Sequence, residues 1–302
     1  MKQPISLVLS GGAARGLAHI GVIEELEKQG FEIKSIAGNS MGAFIAAMHA
    51  LGSLNEYKEW ALTLHKIDVF KLIDFTFSSQ GLIKGDRVFN KMKSFFPDKN
   101  IEDLKIPYVA VAADVTNMKE VVFTKGSLYD AVRASVAIPT VFTPAKKDNA
   151  VLVDGGVVNP IPLNRVKRFE GDILVASYVN ANIPYDAPII NKEKEEIKNS
   201  IYRQKVLEFK SKLNKILPKN GKEKLNYFSL LNKSTALLAH SLSIINIKKY
   251  KPDILINISR HSGGTFDFYK AEELIETGML SARKSIEQYD KTMIDKQKDG
   301  LI

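Results

Sequence analysis

The chain has 302 residues, 45% apolar and 25% charged. This is ordinary globular usage and excludes collagen-like, mucin-like and wholly disordered chains. With 43 Lys plus Arg against 34 Asp plus Glu, the formal charge is +9, which suits an anionic partner: a membrane surface, nucleic acid or an acidic metabolite. Cysteine is absent, so disulfides, Cys-ligated zinc, iron–sulfur clusters and a thiol nucleophile are all excluded.

In chain order, Ile5–Leu9 is a short apolar run that ends in glycines and predicts a buried strand. The opening segment is not read as a signal peptide, because Ser10, Gly11 and Gly12 break the apolar run and Arg15 follows. Arg15–Gln29 predicts a helix with Leu17, Ile20, Ile23 and Leu26 on one face and Gly30 as its stop. Ile33–Ala37 predicts a second strand and Met41–Leu51 an Ala-rich helix. Strand, glycine turn and helix, repeated, is the rhythm of a parallel α/β sheet.

Residues 54–96 read as mostly helical and hold the single tryptophan, Trp60. Tyr108–Ala113 and Val121–Thr124 predict strands, Leu128–Ser135 a short helix stopped before Pro139, and Val151–Val153 a strand ending at Asp154. Ile173–Val179 and Ile254–Ile258 predict further strands, and Ala271–Gln288 a closing amphipathic helix. Between Asn191 and Lys224 stand 11 Lys plus Arg and five Asp plus Glu, with apolar residues interspersed. We read about 190–230 as a basic insertion within one domain spanning 1–302. Its Ile197–Leu217 portion suits a helix lying on an anionic membrane surface, or else a solvated hairpin or loop. No nucleic-acid motif accompanies the basic residues, so nucleic acid is not the expected partner.

Three motifs carry chemistry. Gly38-Asn39-Ser40-Met41-Gly42 is a G-x-S-x-G turn between a predicted strand and helix. Such an elbow exposes the Ser40 hydroxyl as a nucleophile, and Gly38 and Gly42 relieve crowding around it. Gly11-Gly12-Ala13-Ala14-Arg15-Gly16 also joins a strand to a helix. It lacks the second glycine and the acidic residue of a dinucleotide fingerprint, and the Gly-Lys-Ser/Thr of a P-loop. Adjacent backbone N–H groups there suit an oxyanion hole, with each donor typically contributing about 3–4 kcal/mol. Arg15 is a candidate organiser of that loop. Asp154-Gly155-Gly156 places a carboxylate at a strand's end, a candidate general base for Ser40.

Two other arrangements are open at this level. His261 follows a late strand, and Ser40, Asp154, His261 is the chain order of an α/β-hydrolase triad. Asp114 is a second carboxylate at a strand end, with turn capping as its structural role. His19 is read as a packing or hydrogen-bonding residue. The remaining histidines, His49, His65 and His240, are read as lying in helices and have no metal-ligand spacing, and neither metal nor cofactor is expected.

The segments GGAARGLAHIGV, GNSMG, ASVAIPTVF and DGGVVNP, in this order and approximate spacing, resemble the bacterial patatin-like phospholipases. The resemblance covers residues 5–180 well and the tail from 250 loosely. It implies a three-layer α/β/α fold with a mostly parallel central sheet. It also implies a Ser–Asp dyad that cleaves acyl esters of lipids, phospholipid or lysophospholipid. By position, Ser40 is then the nucleophile, Asp154 its base, and Gly11, Gly12 and Ala13 the oxyanion donors with Arg15 beside them. Ala13 departs from the glycine common in relatives, which bears on loop geometry and leaves the donor count unchanged. The partner implied is a lipid or acyl ester. The expected location is the cytoplasm, peripheral at the inner membrane face. The alternatives are a lipid-surface or signalling module with little turnover, an acyltransferase, and the His261 triad esterase. Phe75, Phe77, Phe95 and Phe96 are candidates for an acyl pocket or for core.

Overall fold

The computed structural model describes residues 2–72, 75–78, 81–83, 85–97, 99–139, 141–189 and 227–299. The basic insertion lies almost wholly outside the described residues, as do the side chains of Phe75 and Phe77.

The elements are β1 (Gln3–Leu9), α1 (Ala18–Lys28), β2 (Phe31–Asn39), α2 (Met41–Leu51), α3 (Leu54–Leu62), α4 (Lys66–Leu72), a hairpin of β3 (Phe75–Ser78) and β4 (Gly81–Ile83), and α5 (Asp86–Lys93). There follow β5 (Tyr108–Asp114), β6 (Lys119–Phe123), α6 (Leu128–Ser135), β7 (Ala145–Lys147), β8 (Ala150–Asp154), β9 (Ile173–Ala181), α7 (Tyr227–Tyr250), β10 (Ile254–Ser259) and α8 (Ala271–Lys298).

The main sheet runs β10-β9-β1-β2-β5-β8-β7, with β6 also paired to β5. The five strands from β10 to β5 are parallel, and β6, β7 and β8 join antiparallel. Period-two alternation sorts the side chains of each strand between two cores. Ile5, Leu7 and Leu9 of β1 face one core with α1, α2, α3, α6 and α8. Val8, Ala37, Val109 and Ala176 face the other, with Ile161, Leu163 and Ile244, Ile247 and Tyr250 of α7. The result is the three-layer α/β/α arrangement. Burial on both faces explains why these strands read as continuous apolar runs.

Helices α1 and α8 cross closely because each presents a glycine there. A Cβ on Gly21 would stand 1.9 Å from the Ile275 carbonyl oxygen, and one on Gly278 would stand 1.9 Å from that of Ala18. Arg283 Nε donates to the buried Glu25 carboxylate at 2.9 Å, linking the same two helices.

Several expected boundaries move. The segment predicted as the start of the first helix is a 3-10 turn, Ala13–Leu17, and the α-helix begins at Ala18. Ala14 N–H reaches out of that turn to the Thr265 carbonyl at 3.4 Å. The mostly helical stretch 54–96 contains the β3–β4 hairpin, and α8 continues ten residues beyond Gln288 to Lys298. Strand β7 is not anticipated, whereas α7 holds His240, which is expected in a helix; His65, also expected in a helix, stands just before α4. Among the described residues, no helix is long and apolar enough to cross a membrane.

Candidate active site

Strand β2 ends at Asn39 and α2 begins at Met41, leaving Ser40 alone in the turn with φ 54° and ψ −128°. This is a strained conformation for a side-chain-bearing residue, typically costing about 1–3 kcal/mol. The turn is held by close contacts. A Cβ on Gly38 would lie 2.5 Å from the Ala43 nitrogen, and one on Gly42 would lie 2.3 Å from the Leu9 carbonyl oxygen. The Ser40 N–H donates to Ser135 Oγ at 2.8 Å, and the Ser135 hydroxyl donates to the Val111 carbonyl at 2.7 Å.

Asp154 ends β8, which pairs with β5 next to β2 in the sheet. Its carboxylate accepts the Gly156 N–H at 2.8 Å, with the side chains of Ser40 and Asn39 beside it. Burial pushes the Asp154 carboxyl up to about 6, and Ser40, Gly156 and Asn39 oppose the rise without cancelling it. Asn39 is buried with its amide nitrogen toward Asp154. Its Oδ1 has no partner among the described residues.

The first loop stands beside this pair. A Cβ on Gly11 would be 3.1 Å from Ser40 Cβ and 2.7 Å from the Asn39 amide nitrogen. Gly11 N–H, expected as a free donor, instead donates to the Pro160 carbonyl at 3.1 Å. The N–H groups of Gly12 and Ala13 have no partner among the described residues. Ala13 adopts φ 50°, a left-handed conformation that an alanine accepts only at a cost. Arg15 braces the loop from behind. Its guanidinium donates to the Val179 carbonyl (3.1 Å), the Gly263 carbonyl (2.7 Å) and Asn180 Oδ1 (2.6 Å). Asn180 Nδ2 in turn donates to the Gly11 carbonyl at 2.7 Å.

An apolar pocket of about 950 Å³, its open mouth included, runs from Ala13 and Ser40 toward α3 and α5. Phe44, Tyr57, Phe95 and Phe142 are among its walls. Edge-to-face contacts link Phe44 to Tyr57 (4.7 Å between centroids) and Tyr57 to Phe95 (5.5 Å). Phe95 is therefore both core and pocket wall, whereas Phe96 is core.

The family model described as Patatin-like phospholipase matches residues 7–166. The chain belongs to the patatin-like phospholipase family. An NTE family protein of Mycobacterium tuberculosis is 28% identical over 331 residues, covering 95% of this chain and 92% of that one. Human patatin-like phospholipase domain-containing protein 6 is 33% identical over 179 residues, which is 57% of this chain and 13% of that protein. Among solved structures, VipD from Legionella pneumophila aligns over 95% of this chain and 67% of its own, at 13% identity and a TM-score of 0.46.

Within this patatin-like fold the other candidates stand apart from Ser40. His261 is exposed and follows β10, three strand spacings or about 14 Å across the sheet from β2, which leads into Ser40, and five from β8, which ends at Asp154. Among the described residues, no histidine lines the pocket. His19 is wholly buried, with Nδ1 2.9 Å from Ser177 Oγ and Nε2 2.9 Å from the Ser10 carbonyl. Burial lowers its pKa to about 4, so it is neutral and serves as an internal tie. Asp114 caps its own turn by accepting from Thr116 N–H, Asn117 N–H and Asn117 Nδ2, and the Asn117 side chain leads in holding it below the usual carboxylate range. Asn39, Ser135 and Asn180 escaped the residue-by-residue reading. Asn39 and Ser135 lie inside the segments GNSMG and ASVAIPTVF. Asn180 had no local signal, because its role exists only once β9 lies beside β1.

Proposed function

We propose that this chain is a serine acyl hydrolase of fatty-acyl lipid esters, working through Ser40 and Asp154. The observation that carries the reading is a buried carboxylate, raised to about 6, beside the hydroxyl of an elbow serine that opens onto an apolar pocket. At neutral pH Asp154 is mostly ionised and is a far better base than a solvated aspartate near 3.9. Ser40 Oγ attacks the ester carbonyl while Asp154 takes its proton. The Gly12 and Ala13 N–H groups receive the developing oxyanion, in place of the three donors expected from the motif. Collapse of the tetrahedral intermediate breaks the bond to the alkoxy oxygen, which takes the proton from Asp154. Water then attacks the acyl-enzyme, Asp154 receives its proton, and the acid leaves as Ser40 is regenerated. The acyl chain follows the aromatic wall from Phe44 to Phe95, which favours long apolar chains over short polar ones. Residues 1–302 act as one domain in this reading, since β9 and β10 complete the sheet that β1 begins.

The test is labelling with a fluorophosphonate, followed by product analysis on lysophospholipid, phospholipid and neutral esters. Labelling that disappears in Ser40→Ala, with fatty acid released by the wild type, supports the reading. Labelling that persists in Ser40→Ala, or single-turnover acylation that stays near normal in Asp154→Asn, overturns the assigned roles.

A further inference from the structure

Helix α7 has two apolar sides. On one, Ile244, Ile247 and Tyr250 pack on the sheet with Ser243 buried among them. On the other, Leu230, Leu231, Leu237, Leu238 and Ile245 fall within a stripe about 120° wide at 100° per residue. These five are 53%, 39%, 64%, 65% and 58% exposed, so nothing among the described residues covers them. The helix carries Lys233, Lys248 and Lys249 and no acidic residue, in a chain of formal charge +9.

The position of the stripe is informative. Helix α7 runs antiparallel to the strands. Asp253, just after it, accepts the Leu174 N–H at the start of β9, whereas His240 Nδ1 lies 2.7 Å from the Tyr178 hydroxyl near the strand's far end. Residues 227–239 therefore continue about 20 Å past the level of Tyr178. That is the edge where Leu9, Gly38 and Ser177 stand in register and where Ser40 sits. Val158, four residues after Asp154, and Phe266, on the pocket wall, add further exposed apolar surface there, each 39% accessible.

We propose that the outer stripe of α7 docks on an anionic lipid bilayer, with the leucines entering the headgroup boundary and the lysines meeting its charge. The element is long enough to lie in the interface and not apolar enough to cross it. Such docking extends the acyl-ester reading, so binding is measured on Ser40→Ala protein, in which a failure of docking and a failure of hydrolysis are read separately.

The chain has no native cysteine, so Leu237→Cys carries a single environment-sensitive fluorophore, and Lys28→Cys, at the opposite end of the molecule, serves as control. With vesicles of phosphatidylcholine and phosphatidylglycerol, the label at 237 should shift to the blue and brighten at least about twofold, while the label at 28 stays unchanged. A Leu237→Glu, Leu238→Glu variant should lose vesicle co-flotation about tenfold and keep the wild-type melting curve. Equal responses at 237 and 28, or undiminished flotation of the double variant, would overturn the proposal. So would a wild-type dimer in solution that the two glutamates dissociate while vesicles go unbound, because the stripe would then belong to a second copy.

Discussion

The Ser40 backbone N–H donates to the Ser135 hydroxyl at 2.8 Å, and that hydroxyl in turn donates a hydrogen bond to the Val111 carbonyl. One small side chain thus ties the elbow to α6 and to β5. Ser135→Ala leaves a buried donor and a buried acceptor unpaired, at a cost of about 1–3 kcal/mol. We expect a lower Tm and a kcat reduced about tenfold or more, with KM nearly unchanged, because the elbow loses its anchor while the pocket keeps its walls. Steady-state kinetics beside a thermal melt would check both.

Asp154 sets the pH dependence. In the proposed dyad its carboxylate must be ionised to accept the Ser40 proton, so kcat/KM should fall about tenfold per pH unit on the acid side of about 6. Stability should run the other way. A carboxyl raised in the folded state binds its proton more tightly than in the unfolded chain. Its contribution is therefore full below the unfolded value near 3.8 and is lost as pH rises through about 6. Asp154→Asn should lose activity by about 10³-fold or more yet melt no lower than the wild type at pH 8. A pH–rate profile and paired melts test the two signs together.

Arg15 reaches three acceptors with one planar group. A lysine brings one ammonium and cannot span the Val179, Gly263 and Asn180 positions at once. Arg15→Lys should slow fluorophosphonate labelling of Ser40 about 10-fold to 100-fold, through misplaced Gly12 and Ala13 amides. Circular dichroism should remain that of the folded chain.

Gly278→Ala tests the crossing of α1 and α8. The added methyl would meet backbone and not a movable side chain, so the helices must part, at about 1–3 kcal/mol or more. Tm should drop by about 5 °C or more.

The parts legible in the sequence were those whose cause is local. Ser40 and Asp154 stand out because strand ends and small residues mark them, and the strands from Ile5–Leu9 onward read clearly because burial on both faces leaves unbroken apolar runs. The commitment of Gly11 N–H to Pro160 was not legible, since a glycine-rich turn has the same composition whichever acceptors surround it. The extent of helix α7 was not legible beyond the neighbourhood of His240, because apolar residues on both of its sides blur the one-sided pattern that marks a surface helix. The 3-10 start of the first helix depends on Thr265 and Asn180, more than 160 residues away, which no local window contains.

Strand β9 begins at Ile173, after the family match has ended at residue 166, yet it sits in the interior of the sheet between β1 and β10. The portion matched by the family model is therefore not a portion that can be excised. A fragment stopped near residue 166 would bare the hydrogen-bonding edge of Ile5–Leu9 to other molecules and deprive Arg15 of every acceptor described above. Recombinant fragments of this chain should be bounded by the completed sheet and not by the ends of the family match.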